Sequence, residues 1–290
     1  MSLVDPQEAA RRDHARHRGT ASALIATICF GVLALAAATV LGFAVGGVFE
    51  QLRVMSINSV FGSWETETPI AFRAWGLPLG ILGLIVTLGL YGTWNHRYSG
   101  RSDFFVIVGP LTIVLAGLTV GTWLASTMWA APDAVGVAVD PVFGQNETWG
   151  IGAWALYAGT WWLPGLFALL TVLSLIGRVL AARRRERNGR VVEQLLARGV
   201  RTEAEITQAP LPEPSASRMI APLVARFSDS EGVSRWVACT AALRTRDVPA
   251  VGARRPLVFD PADPGDVQRI FLSPAGGTDP SSFEPVRAAQ

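Results

Sequence analysis

The spacing of apolar and polar positions divides the chain into two halves of different character. From residue 20 to about 182 long apolar runs alternate with short polar loops, whereas beyond residue 200 apolar residues recur at every second position. A helix crossing lipid needs about 20 mainly apolar residues, because it satisfies its own backbone where no water can. Four runs have that length, 22–49, 75–94, 104–129 and 157–181, and predict four transmembrane helices within a domain at 20–182. The aromatic stretch at 149–154 precedes the fourth and is expected at the outer interface.

Residues 190–198 predict a short amphipathic helix beside the membrane, within a juxtamembrane segment at 183–199. Val191, Val192, Leu195 and Leu196 form its apolar side, and Gly199 ends it. Then Val200, Thr202, Ala204 and Ile206 alternate with Arg201, Glu203 and Glu205, the period of a half-buried strand. Prolines 210, 212 and 214 interrupt it. Residues 223–227 and 233–239 predict a hairpin turning at Asp229 and Gly232, and 257–259 and 268–272 bring the count to about five strands. So few strands hide their edges best in a small barrel or curled sheet. The expected fold class is therefore an α-helical membrane protein with a small, barrel-like all-β domain at 200–274. Its core draws on Ile206, Leu223, Phe227, Trp236, Val237, Leu257, Val258, Phe259 and Ile270, and a tail at 275–290 is expected to be disordered.

Arginines near the run ends set the orientation, since basic residues resist translocation. Arg11, Arg12, Arg16 and Arg18 precede the first run in a basic segment at 1–19, Arg97 and Arg101 follow the second, and Arg183, Arg184, Arg185, Arg187 and Arg190 follow the fourth. The opposite side offers Arg53 and Arg73, and the loop at 130–148 contains no basic residue. Both termini are thus expected in the cytoplasm of a multi-pass cell-membrane protein. Trp75, Trp129 and Trp149 suit the outer headgroup level and Trp94 the inner.

Composition agrees: 50% hydrophobic against 17% charged residues and a mean hydropathy of +0.34 are unusual for a water-soluble protein. The net charge of +2 makes nucleic acid a poor partner. Every basic residue is arginine, which fits a GC-rich bacterial coding bias. Cys29 lies in an apolar run and Cys239 in a strand, so both are expected as free thiols. The first run is too long for a signal-peptide core.

Candidate chemistry is sparse. Glu50, Arg73 and Arg178 stand at the expected helix ends, where they can snorkel to water, which disfavours proton-coupled transport. Thr87, Thr112, Thr119, Thr122 and Thr171 either line a polar path or bond back to their own helices. Trp123, Trp129, Trp154, Trp161 and Trp162 read as belt and packing residues in preference to a ligand cage. His14 and His17 have helical spacing but lack a third ligand, and with His96 complete the histidines. There is no CxxC, HExxH or phosphate-binding glycine loop. Asp260, Asp263 and Asp266 recur every third residue, which suits turns better than a calcium loop. Asn146-Glu147-Thr148 matches the glycosylation pattern by coincidence. Pro78, Pro110 and Pro164 are candidate kinks. The glycine pairs Gly42/Gly46, Gly76/Gly80 and Gly117/Gly121 permit close helix packing within the monomer. No catalytic, cofactor or metal residue is expected.

Three pieces of the C-terminal third, the opening at 196–206, the hairpin with Asp229 and Gly232, and the ending from Val251-Gly252 through Pro256-Leu257-Val258-Phe259-Asp260-Pro261-Ala262-Asp263-Pro264, resemble the DUF3592 family of bacterial membrane-associated proteins. The resemblance implies a small β domain adjoining transmembrane helices and supplies no catalytic residue. Together these readings predict a non-enzymatic membrane protein that presents its β domain to a cytoplasmic or membrane protein partner. The surface expected to do so carries Arg226, Arg235, Arg244, Arg246, Arg254 and Arg255, which could also meet anionic lipid headgroups. The alternative is a channel or lipid-handling bundle regulated by the β domain.

Overall fold

A computed structural model describes residues 17–62, 65–66, 69–100, 105–212 and 216–289, excluding the side chains of residues 70–73. His14 and the side chain of Arg73 thus lie outside the description. The chain divides into two units, Met1–Arg178 and Val179–Gln290.

In the first unit, helix α1 spans Ala21–Ile57, two turns beyond the apolar run, because Glu50 and Arg53 are buried by the surrounding protein and do not terminate it. Helix α2 spans Ile70–Ser99 and ends on Gly100, whose φ of +69° and bond from its N–H to the His96 carbonyl close the last turn. Helix α3 spans Pro110–Ser126. Pro110 starts this helix and does not kink it, since a first-turn proline loses no intrahelical bond, whereas Pro78 and Pro164 lie inside helices. A two-residue ladder pairs β1 (Val137–Ala138) with β2 (Glu147–Thr148). Helix α4 (Ile151–Tyr157) follows, and α5 runs over Gly159–Arg198. The expected fourth span and juxtamembrane helix are therefore one element, the charged run at 183–190 continuing the helix.

Among the described residues, three helical stretches are long and apolar enough to cross a membrane: Ala21–Ile57, Ala74–Ser99 and Gly159–Arg198. The expected third run contains a shorter apolar helix, α3, of 17 residues. α1 packs on α2 and α3 through small residues. A Cβ at Gly42 would come within 2.8 Å of the Leu118 carbonyl oxygen, and one at Gly80 within 2.9 Å of the Leu41 Cα. Additions at Gly46, Gly117 and Gly121 would strike Ala125, Ala38 and Thr39 respectively. These glycines hold helices of one chain together, as their spacing predicts.

Among the described residues, the second unit holds an antiparallel sheet of seven strands. They are β3 (Val200–Gln208), β4 (Arg218–Ser228), β5 (Ser234–Arg244), β6 (Arg254–Phe259), β7 (Ile270–Leu272), β8 (Glu284–Pro285) and β9 (Arg287–Ala288), in the order β8-β7-β6-β3-β4-β5-β9. The two edge strands are neighbours in sequence, separated by Val286. One short segment therefore pairs with β7 at one edge and β5 at the other, and the sheet is nearly closed into a barrel. The tail expected to be disordered supplies this closure, anchored by Phe283, which is buried, and Val286, which packs on the core.

The β4–β5 hairpin forms around Asp229 and Gly232, with Arg218 opposite Arg244 and Ser228 opposite Ser234. Its strands alternate strictly, so Ala221, Leu223, Ala225 and Phe227 face Val237, Cys239, Ala241 and Leu243 inside. Trp236 consequently points outward and is 51% exposed, which removes it from the expected core. Val258 also points away from the interior, but with Phe271 and Phe283 it is covered by Val192 and Leu195 of α5. The apolar side expected for 190–198 is thus buried against the barrel wall. Gly199 permits the tight exit: a Cβ there would lie 2.7 Å from the Leu195 carbonyl oxygen and 2.8 Å from that of Phe259.

Candidate functional site

Buried polar side chains in the helical unit converge on backbone just outside the two ends of α3. At one end, Asn95 Oδ1 accepts from the Val106 N–H at 3.0 Å, the Tyr91 hydroxyl donates to the Val108 carbonyl at 2.6 Å, and Arg178 donates to the Phe105 carbonyl. At the other, Glu50 Oε1 accepts from the Ala130 N–H at 3.0 Å, and Arg53 Nη1 donates to the Ala130 carbonyl at 2.7 Å. Glu50 is fully buried and Arg53 nearly so. The Arg53 guanidinium lies 5.7 Å from the ring centre of Trp129 and 5.6 Å from that of Tyr157. Glu50 is enclosed and does not snorkel to water, whereas Arg178 is half-buried and bonded to Phe105. Polar residues near apparent run boundaries suggested helix ends, and nothing in the linear sequence revealed that they serve distant backbone.

The threonines do the same locally. Thr87, Thr119, Thr122 and Thr171 each donate to a carbonyl in the preceding turn, and Thr112 shares a 2.7 Å hydrogen bond with Ser174. Trp123, Trp154, Trp161 and Trp162 are exposed to different degrees and form no enclosed cage. Trp149 is buried, donating to the Ile57 carbonyl at 2.8 Å. Among the described residues no group of three metal-ligating side chains occurs.

On the barrel, the arginines expected to form one surface are mostly engaged within the fold. Arg226 pairs with Glu205 at 2.9 Å, and Arg254 with Glu203 at 3.6 Å. Arg246 approaches Asp247 at 3.7 Å. Arg255 donates to the Pro274 carbonyl at 2.9 Å. Arg235 donates to Asp229 at 2.8 Å; that carboxylate also accepts from the N–H groups of Glu231 and Val233. The Arg235 hydrogen bond, followed by the backbone donors, holds Asp229 below the usual carboxylate range. Arg244 ends β5 opposite Arg218. Asp260, Asp263 and Asp266 each accept from an N–H two residues on, the turn-making role their spacing suggested.

What the barrel does assemble is one outward row across three strands. Glu205 is the register partner of Arg226, and Arg226 of Trp236. Ile220, on the same face of β4, is 73% exposed. The row places a carboxylate, a guanidinium and an aromatic ring side by side on one wall, with Ile220 six residues along β4 from Arg226. Both cysteines are free; burial pushes the Cys239 thiol up to about 12, so it stays protonated inside the barrel. No family model, curated protein or solved structure matches the chain.

Proposed function

We propose that this is a four-span membrane protein with cytoplasmic termini, whose barrel is a non-catalytic module that docks another protein. Supporting four spans, α3 rises about 25 Å, close to the roughly 30 Å of a hydrocarbon core. The backbone continuing beyond it meets Asn95, Tyr91 and Arg178 at one end and Glu50 and Arg53 at the other. Irregular backbone is tolerated at membrane depth where protein groups satisfy it. Supporting the orientation, arginines alternate between the run ends. The resemblance to DUF3592 proteins is compatible with this layout.

The observation that carries the docking reading is Trp236, half exposed beside Arg226 on the wall of a barrel whose interior is otherwise filled. Tryptophan and arginine dominate the energetics of protein interfaces, and exposing a tryptophan forgoes the burial an internal position would give it. The conduit reading draws less support, because the helical hydroxyls are bonded to backbone or to each other. Crosslinking in cells from a photoreactive residue at Thr240, compared between wild type and Trp236→Ala, tests the proposal. A defined protein adduct that Trp236→Ala removes is expected; an unchanged adduct, or none, overturns the docking reading.

A further inference from the structure

We infer that α5, immediately beyond its apolar stretch, binds anionic phospholipid headgroups through Arg183, Arg184 and Arg187. The inference rests on reading that apolar stretch as a membrane span. From 183 to 190 the helix carries five arginines against one acidic residue, Glu186. Arg183, Arg184 and Arg187 are exposed and, among the described residues, have no ion pair or hydrogen-bond partner. The barrel differs in this respect, since Arg226, Arg235, Arg254 and Arg269 all stand beside carboxylates. A guanidinium already neutralised within the fold has little attraction left for a second anion, whereas these three retain theirs.

Distance along the helix limits which arginines take part. At about 1.5 Å per residue, Arg183, Arg184 and Arg187 lie roughly 4, 6 and 10 Å beyond Leu180. A headgroup layer is about 5–7 Å deep, and arginine side chains reach back along a helix to find it. Arg198 lies roughly 27 Å beyond Leu180 and is out of reach. It lines a separate cleft of about 550 Å³ with Arg190, Glu193, Asp260 and Arg269, where acidic neighbours dilute the positive charge. Basic residues just outside a span attract anionic lipid by about fivefold each, so three suffice for clear selectivity. The partner is a phospholipid because the charge directly follows the apolar segment on the same helix.

The full chain would be reconstituted in phosphatidylcholine vesicles containing a minority of phosphatidylglycerol, extracted in mild detergent, and its retained lipids quantified by mass spectrometry. Phosphatidylglycerol should be enriched about tenfold over the vesicle composition and should fall on washing in high salt. Arg183→Gln with Arg184→Gln and Arg187→Gln should return it to the vesicle ratio, while Arg226→Gln with Arg254→Gln should not. No enrichment in wild type, enrichment insensitive to salt, or enrichment surviving the triple substitution overturns the inference. Resistance of the wild-type chain to alkaline extraction is scored separately. Release under alkali would overturn the membrane-spanning reading itself, whatever the lipid ratio.

Discussion

Glu50 and Arg53, three residues apart on α1, hold the two polar backbone atoms of a single residue: the carboxylate takes the Ala130 N–H and the guanidinium gives to the Ala130 carbonyl. Residues at this spacing share a helix face, so one turn of α1 presents an acceptor and a donor side by side. The chain leaving α3 is thereby tied to α1 at a place where water is excluded from Glu50.

Removing either partner leaves a buried charge and an unmet peptide group. Glu50→Ala or Arg53→Ala should each lower stability by about 3 kcal/mol, read as a fall in thermal midpoint in mild detergent. The double variant Glu50→Ala with Arg53→Ala should cost less than the sum of the single losses, because no charge is left uncompensated. Strict additivity would contradict the shared grip.

The α1–α3 contact should be equally sensitive to volume. Gly121→Val places a side chain against the backbone of Thr39 and Phe43, and loss of the monodisperse species in size-exclusion chromatography is expected. Gly177→Ala, with open space around its Cβ position, should be neutral or slightly stabilising in a helix. Equal behaviour of the two variants would show that the close approach does not matter.

Barrel closure gives a boundary test. A soluble fragment 183–290 should fold, whereas one ending at Pro274 lacks β8 and β9 and should lose cooperative unfolding by circular dichroism. Phe283→Ala in the longer fragment should cost about 3 kcal/mol. Trp236, the single tryptophan in that fragment, should emit like a largely hydrated indole in the folded state. A strongly blue-shifted spectrum would place it back inside.

Protonation of Asp229 should weaken the hairpin. Its folded-state pKa lies below the ordinary value near 3.9 because Arg235 and backbone N–H groups favour the charged form. The resulting stabilisation is complete above that ordinary value and is lost as pH falls through the depressed one. The thermal midpoint of fragment 183–290 should therefore drop on acidification below about pH 4. Asp229→Asn should start lower and lose less over the same range; a parallel drop would assign the acid sensitivity elsewhere.

Much of the architecture was legible because it rests on local periodicity. The apolar runs mark α1, α2 and α5, the two-residue alternation from Val200 marks β3, and Asp229 with Gly232 marks the hairpin. What the pattern missed depends on partners far away in sequence. Glu50 resembles a helix-ending residue until Ala130 is brought beside it, and α3 looks long until its flanks are seen bonded to Asn95 and Tyr91. The tail at 275–290 is polar enough to suggest disorder, yet Phe283 and Val286 find burial on two strands already in place. Trp236 was misplaced for a different reason: a large apolar side chain invites a core assignment, while strand parity, counted from Val237 and Cys239, sends it outside. Nor does any linear pattern say which arginines of the candidate surface the fold pairs with carboxylates.

The glycine contact between α1 and α3 also bears on how this sequence can drift. Any residue replacing Gly42, Gly117 or Gly121 brings at least a Cβ, and at each position that single atom already meets the opposite helix. No intermediate size exists between nothing and too much, so the usual route of gradual change through ever larger side chains is closed. Repair would have to arise as a matched deletion of volume across the interface. At Gly42 and Gly121 the obstructing atoms belong to backbone, which no codon change can shorten. A saturation library should therefore show these positions tolerating glycine alone, while neighbouring outward residues such as Val40 accept many substitutes.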